Sequence, residues 1–304
     1  MSVTVLLPIY NGALTLAQAI DSILAQDHED FELLLIDDAS TDGSAGIAHD
    51  YAARDARVSF VAHDRNRGLA ATLNEGLERA RYELVARLDQ DDEALPQRLH
   101  AQLDFMNENP RVAASGSWIL HMGAQPRFDR LVELPASPKA IARRLPHENC
   151  LYHPAMIMRR STVLDLGGYR AEFRNAEDYD LWLRLCREHD LANVPRPLLR
   201  YRFSLGGMTL GRKWEQLFYI RLAQATNRDP SITLEEATAR ANKELEETDR
   251  RWFMRQVASG TVAELVALRH WSDATRIATR FTREIGVVVS ARLLASIARA
   301  RARS

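Results

Sequence analysis

Only two cysteines, Cys150 and Cys186, occur in the 304 residues. That excludes a disulfide framework and a paired-cysteine zinc site, and it points to a reducing compartment. An excess of either charge is missing as well. Forty Lys+Arg stand against 41 Asp+Glu, a formal net charge of -1, so the basic footprint of a general nucleic-acid binder is absent. No apolar run reaches the ~18 residues a spanning helix needs, and Met1 leads into Val3–Leu7 without a basic leader. The expectation is a cytosolic globular protein. There is no GxGxxG after the first apolar run, no glycine-rich loop ending in Gly-Lys-Ser/Thr, no G-x-S-x-G elbow and no H-E-x-x-H pair. What is present is 46% hydrophobic and 27% charged residues. This is enough for a substantial core and for two domains, or one large domain with an appendage.

The first third alternates short apolar runs with amphipathic helices. Val3–Leu7, Phe31–Ile36, Val58–Ala62 and Glu83–Leu88 read as strands, the first two almost continuously apolar, as in strands covered on both faces. Leu16, Ile20, Ile23 and Leu24 mark one helix face, and Leu69, Leu73 and Leu77 another. Pro96 is placed at the first position of a helix carrying Leu99, Leu103 and Met106. Val112–Leu120 reads as a fifth strand, a short helix follows Ser137-Pro138, and another runs from about Glu177 to His189. Beyond Arg212 the chain reads as helical, with capping-box spacing at Thr233…Glu236 and Thr261…Glu264. Strand–helix alternation implies an α/β fold with a mostly parallel sheet, whose ligands bind at the carboxyl ends of the strands.

Those ends are polar. Strand one runs into Pro8-Ile9-Tyr10-Asn11-Gly12, strand two into Asp37-Asp38-Ala39-Ser40-Thr41-Asp42-Gly43, strand three toward Asn66-Arg67-Gly68 and strand four into Asp89-Gln90-Asp91-Asp92. Three carboxylates directly after an apolar strand repel one another unless a hard divalent cation joins them, and such a cation also bridges substrate phosphates. A solvated acidic turn is the bland alternative. One carboxylate of Asp37-Asp38 can accept the imide N–H of uracil or thymine, or the pair simply holds an Asx-turn. Tyr10 can stack on a base or pack at the rim.

In EDYDLWLRLCREHD, Asp178, Leu181, Trp182 and Leu185 share a helix face, so Asp178 points inward and can serve as a general base. Its alternative role is an acid favoured in the first turn by the helix dipole. His153, Arg159 and Arg160 are candidates for a diphosphate or an anionic acceptor, and Glu177 is an acceptor-side candidate by position. Trp182 reads as core on periodicity and as an acceptor-side candidate by position.

Taken together, VTVLLPIYNGALTLAQAIDSILAQDHEDFELLLIDDASTDGS, NRGLAATLNEGLERA, ELVARLDQDDEALPQRL, HPAMIMRRSTVLDLGGY and FRNAEDYDLWLRL resemble, in order, the family 2 glycosyltransferases of GT-A fold. The resemblance covers roughly residues 2 to 210. It implies a GT-A transferase domain over residues 1–212, with a nucleotide-sugar half (1–115) and an acceptor half (116–212), followed by a helical region over 213–304. The implied chemistry is an inverting transfer of one sugar from a nucleotide-sugar donor, UDP-linked by preference, to a glycan or lipid-linked acceptor. By position, Pro8, Tyr10 and Asp38 hold the base, Asn66 and Arg67 close over the nucleotide, and Asp89-Gln90-Asp91 is the DXD motif. Asp91, with Asp89, ligates Mn²⁺ or Mg²⁺, and Asp178 is the catalytic base.

The Gln-x-x-Arg-Trp motif of processive synthases is absent, so one residue, or few, is added per encounter. Haloacid-dehalogenase-like phosphoryl transfer also places DxD after a strand, but with Thr or Val where Glu93 stands here. Intact Asp38, Asp91 and Asp178 speak against the third reading, a catalytically silent nucleotide-sugar-binding partner. The last 34 residues carry seven Arg against Asp273 and Glu284. Val287, Leu293, Leu294 and Ile297 lie opposite Arg292, Arg299 and Arg303, the pattern of a helix lying on an anionic membrane. Packing on the catalytic domain or on a second subunit, in a homo-oligomer, is the alternative.

Overall fold

In the computed structural model, residues 1–202, 210–280, 282 and 287–302 are described. The chain divides into two compact units, one of residues 1–120 and 131–202, the other of residues 121–130 and 203–304. The division falls ten residues before the boundary expected at 212, and a short segment between two strands goes with the C-terminal helices.

The first unit grows from strands with no solvent face. Every residue of β1 (Val3–Ile9) and β2 (Phe31–Asp37) is buried, which is why both read as unbroken apolar runs. Helix α1 (Leu16–Leu24) buries Leu16, Ala19, Ile20 and Ile23. Helix α2 (Ser44–Arg54) was not foreseen; it buries only Ser44 and Ala48, so its sequence carries almost no apolar stripe. After β3 (Val58–Ala62), α3 (Leu69–Arg79) buries Leu73 and Leu77 but leaves Leu69 exposed at its start. Then β4 (Leu84–Arg87) and the two-residue β5 (Glu93–Ala94) lead to α4 (Arg98–Glu108). Pro96 stands in the turn ahead of that helix rather than at its first position, and Gln97 is the N-cap.

The chain continues through β6 (Val112–His121), β7 (Arg130–Val132), α5 (Pro138–Arg144), β8 (Ile157–Arg159), α6 (Arg160–Asp165), α7 (Glu177–Glu188) and β9 (Asp190–Tyr201). The Ser137 side chain caps α5 by accepting from the Ala140 N–H. Strand β9 also escaped the sequence reading, because Pro195 and Pro197 within twelve residues argue against a strand.

The sheet runs β3-β2-β1-β4-β8-β6-β9-β5, with β7 beside β6. Its first four strands are parallel, as expected. The chain then returns in the opposite sense, since β8 is antiparallel to both β4 and β6, and β5 to β9. The register aligns Ile9 with Asp37 and Asp37 with Ala62. Tyr10, Asp38 and His63 therefore leave the sheet at one level.

The second unit contains α8 (Leu210–Arg228), α9 (Leu234–Glu246), α10 (Arg250–Ala267), α11 (Trp271–Arg280) and α12 (Val287–Ala302). The Thr233–Glu236 capping box forms with both reciprocal bonds. The second proposed box does not: Thr261 and Glu264 lie inside α10, where Glu264 pairs with His121 and Arg130. Nor is the apolar side of α12 an open membrane-facing stripe. Ile297 is 4% exposed, packed with Met254, Val262 and Ile277, and Leu293 and Leu294 rest on the same cluster. The amphipathic pattern is accounted for by the unit's own core. Among the described residues, no helix is long and apolar enough to cross a membrane.

Candidate active site

The carboxyl ends of the parallel strands surround a cavity of about 630 Å³. Pro8, Tyr10, Asp38, Asn66, Arg67, Asp89, Gln90, Asp91 and Glu177 all line it. These residues span 170 positions of sequence and were assigned to one site on motif position alone.

On the β2 side, Asp38 is 4% exposed and densely bonded. Its Oδ1 accepts the Arg67 backbone N–H at 2.7 Å and faces His63 Nδ1 at 2.7 Å, and its Oδ2 accepts the Gly68 N–H at 2.8 Å. Burial raises the Asp38 pKa, but the donors from Arg67, His63 and Gly68 outweigh it and hold the carboxyl below its usual value. Gly68 has φ +85°, which presents its N–H to Asp38 at no steric cost. Asn66 donates to the Asp38 carbonyl at 3.2 Å. The Arg67 guanidinium does not point at the cavity centre; it pairs with Glu75.

The β4 side is the electrostatic opposite. Carboxylate oxygens of Asp89, Asp91 and Asp92 lie within 4.8 Å of one another. Burial and the Asp89 charge push the Asp91 carboxyl up to about 6, and burial with both neighbours raises Asp92 further. Asp92 accepts the Arg202 N–H at 2.7 Å through Oδ1, while its buried Oδ2 has no partner among the described residues. The Arg87 guanidinium, buried beneath, pairs with Asp89. Gln90 turns away from the acids. Its Oε1 accepts the Tyr10 N–H and its Nε2 donates to the Tyr10 carbonyl, each at 2.9 Å. The Gln90 amide lies where a Cβ on residue 12 would sit, so Gly12 is required for this clasp.

From the far wall, the start of α7 supplies Glu177, 9% exposed and raised to about 7 by burial and by the adjacent Asp178. Asp178 is partly buried, accepts from Asn149 Nδ2 at 3.0 Å, and is also raised by burial. Three non-glycine residues with positive φ stand at this rim: Asn11 (52°), Ala39 (60°) and Asn175 (61°). Each follows or lines a site segment, the kind of place where backbone strain is tolerated for position.

Residues 4–167, more than half of the chain, match the model of glycosyl transferase family 2. The chain belongs to that family. A curated relative, the amylovoran biosynthesis glycosyltransferase AmsE of Erwinia amylovora, is 30% identical over 229 residues, covering 72% of this chain and 85% of AmsE. Among solved structures, S. aureus TarS 1-349 in complex with UDP-GlcNAc superposes with a TM-score of 0.61 at 15% identity, covering 98% of this chain and 92% of that one. The mannosyltransferase PcManGT from Pyrobaculum calidifontis, in complex with GDP-Man and Mn²⁺, gives 0.60 at 18% identity over 97% and 85%. At these identities the likeness establishes the fold, an α/β glycosyltransferase sheet continued by C-terminal helices.

Three acceptor-side expectations meet a different placement in this family member. Arg159 pairs in register with Leu84, at the start of β4, whereas the cavity lies past its end. Its guanidinium donates to the carbonyls of Val112 and Met106 at 3.0 and 2.9 Å, tying strands together rather than binding an anion. His153 is buried, its Nε2 2.8 Å from the Tyr169 hydroxyl, and burial beside Arg87 depresses its pKa strongly, so it stays neutral. Trp182 is fully buried, edge-on to His153 at 5.8 Å between centroids. It is core, as its periodicity suggests. Arg160 likewise donates to the Leu77 carbonyl.

Conversely, the sequence reading does not single out Arg87, Arg202 and His63. An arginine inside an apolar strand was the one available signal, for Arg87. Nothing local marks Arg202, which reaches the acidic turn from 111 residues away.

Proposed function

We propose that this chain transfers a single sugar from a UDP-linked donor, with inversion, to a hydroxyl of a glycan or lipid-linked glycan during assembly of a cell-surface polysaccharide. The observation that carries the reading is the cavity itself. A hydrogen-bonded Asp38, the Asp89 and Asp91 carboxylates and Glu177 all line one space at the carboxyl rim of a parallel sheet. Asp38 keeps one acceptor position on Oδ2 for a ring N–H of the base, and Tyr10, 48% exposed above it, offers a stacking face.

A divalent cation, Mg²⁺ or Mn²⁺, fits the residues present. Asp91 is raised by burial and by the Asp89 charge, the buried Asp92 Oδ2 has no partner among the described residues, and the oxygens are close enough to share one ion. Asp91 and Asp89 would hold it, and it would stabilise negative charge on the departing diphosphate. Asp178, held by Asn149, removes the acceptor proton as the hydroxyl attacks the anomeric carbon from the face opposite the leaving group. Glu177 lines the cavity beside it and keeps the negative charge of the pair low by remaining partly protonated near pH 7. AmsE is a glycosyltransferase of amylovoran biosynthesis, and the TarS and PcManGT structures are complexes with UDP-GlcNAc and GDP-Man. These support the donor class and the pathway class.

The test is a donor screen with purified protein over UDP-, dTDP- and GDP-sugars, with Mg²⁺ or Mn²⁺, reading the released nucleotide. Turnover of UDP-sugars alone is expected. Release from none of them, with donor binding intact, would make the chain a nucleotide-sugar-binding partner instead.

A further inference from the structure

The Asp38 carboxylate does not stand alone at the cavity wall. Behind it sits His63, the first residue after β3, whose side chain is 4% exposed. Its Nδ1 lies 2.7 Å from Asp38 Oδ1 and its Nε2 lies 3.1 Å from Glu75 Oε2. Glu75 is fixed in turn by Arg79, whose Nε donates to Oε1 at 2.8 Å, and by the Arg67 guanidinium. An ionised carboxylate has no proton to give, so the contact with Asp38 needs the Nδ1–H of the ring. The ring is therefore clamped between two acids, and its plane fixes the direction of the Asp38 carboxylate.

The count of lone pairs then decides what Asp38 can do. Oδ1 is used twice, by His63 and by the Arg67 N–H, and Oδ2 once, by the Gly68 N–H. One acceptor position remains, on Oδ2, in a residue that lines the cavity. We propose that His63 is the positioning residue of the nucleobase pocket: tethered by Glu75, it holds Asp38 turned so that the pocket presents an acceptor, and so selects bases with a ring N–H. Uracil, thymine and guanine carry such a donor. Cytosine and adenine carry a bare ring nitrogen at the matching edge, which would face the carboxylate lone pair unpaired, a loss that discriminates strongly in a buried site. This rests on Asp38 being the base acceptor, as read above.

The experiment is calorimetric titration of the full chain with UDP and with CDP at one fixed Mg²⁺ concentration. The diphosphate contribution is common to both, so the affinity ratio isolates the base. Two variants of His63 have opposite expected outcomes at similar size. In His63→Asn the amide nitrogen takes the place of Nδ1 and keeps the donor to Asp38, so the UDP-over-CDP ratio stays within about threefold of the parent. In His63→Gln the amide reaches toward Glu75 and abandons Asp38, so the ratio falls at least tenfold. Damage to packing alone would lower both, and indifference would leave both unchanged; either result overturns the positioning role. Asp38→Asn separates this inference from the reading beneath it. If that variant keeps the parental ratio, Asp38 is not the base acceptor and both ideas fall. If it loses the ratio while His63→Gln keeps it, only the role of His63 is overturned.

Discussion

The ends of β2 and β4 place the same residue type at the same level of one parallel sheet, yet the two clusters carry opposite electrostatics. At β2, Asp38 has three N–H donors and a carboxyl held below its usual value. At β4, Asp91 and Asp92 have few donors, crowd Asp89 and are raised. The cause is the loop after β3. His63, Arg67 and Gly68 fold over Asp38, whereas the β4 turn has Arg87 paired with Asp89 and the Arg202 N–H on Asp92. A carboxylate already supplied with donors is suited to reading one hydrogen bond of a neutral base. A cluster left with excess negative charge is suited to a cation and the phosphates it brings.

That contrast breaks most visibly at Asp91. Asp91→Ala should lower kcat/KM by roughly 10³-fold, since several kcal/mol of charge stabilisation is lost at tenfold per 1.36 kcal/mol. EDTA should do the same to the parent, while the melting temperature of Asp91→Ala holds, because a carboxylate disfavoured by burial and by Asp89 has been removed. Unchanged transfer in metal-free buffer would erase the distinction between the two rims.

Asp178→Asn comes next, with kcat lowered by about 10²–10⁴-fold, the usual worth of a general base. UDP affinity should stay within a small factor, measured by titration; loss of both together would make Asp178 structural. Asp38→Asn should be milder. UDP affinity falls about tenfold to a hundredfold, for the loss of a buried charge-assisted hydrogen bond of ~1.5–3 kcal/mol. The same variant sharpens the comparison in acid. A lowered folded pKa contributes stability that is present above the unfolded value of about 3.9 and lost as pH falls through the folded one. The variant should therefore lack that part of the acid limb in chemical denaturation.

The smallest effect is expected at Glu177, whose pKa is raised to about 7. Here the folded state binds the proton more tightly than the unfolded chain. Stability is lost as pH rises from about 4.5 toward 7, the reverse of Asp38. Glu177→Gln should thus gain on the order of 1–2 kcal/mol at pH 8 and little at pH 4, read from denaturation midpoints.

Much of this was present in local sequence. The unbroken apolar runs of β1 and β2, the Leu16–Ile20–Ile23 face of α1 and the Leu181–Trp182–Leu185 face of α7 each depend on side-chain periods of two to four residues, which a single segment carries within itself. Elements without such a period, α2 and the proline-bearing β9, could not be read that way. Nor could partnership. Arg159 looks like an anion ligand beside His153 until the β4–β8 register sets it opposite Leu84, at the wrong end of the strand. His63 looks like a loop histidine until the β2–β3 register sets it beside Asp38, and Arg202 is remote until β9 returns to the acidic turn. The sequence determined which segments become strands and helices and which residue types stand at their ends, because those preferences act over one or two turns of chain. Which carboxylate is neutralised, which stays raised and which histidine is silenced in the core was decided only in three dimensions, because a charge responds to what lies within a few ångströms, whatever its distance along the chain.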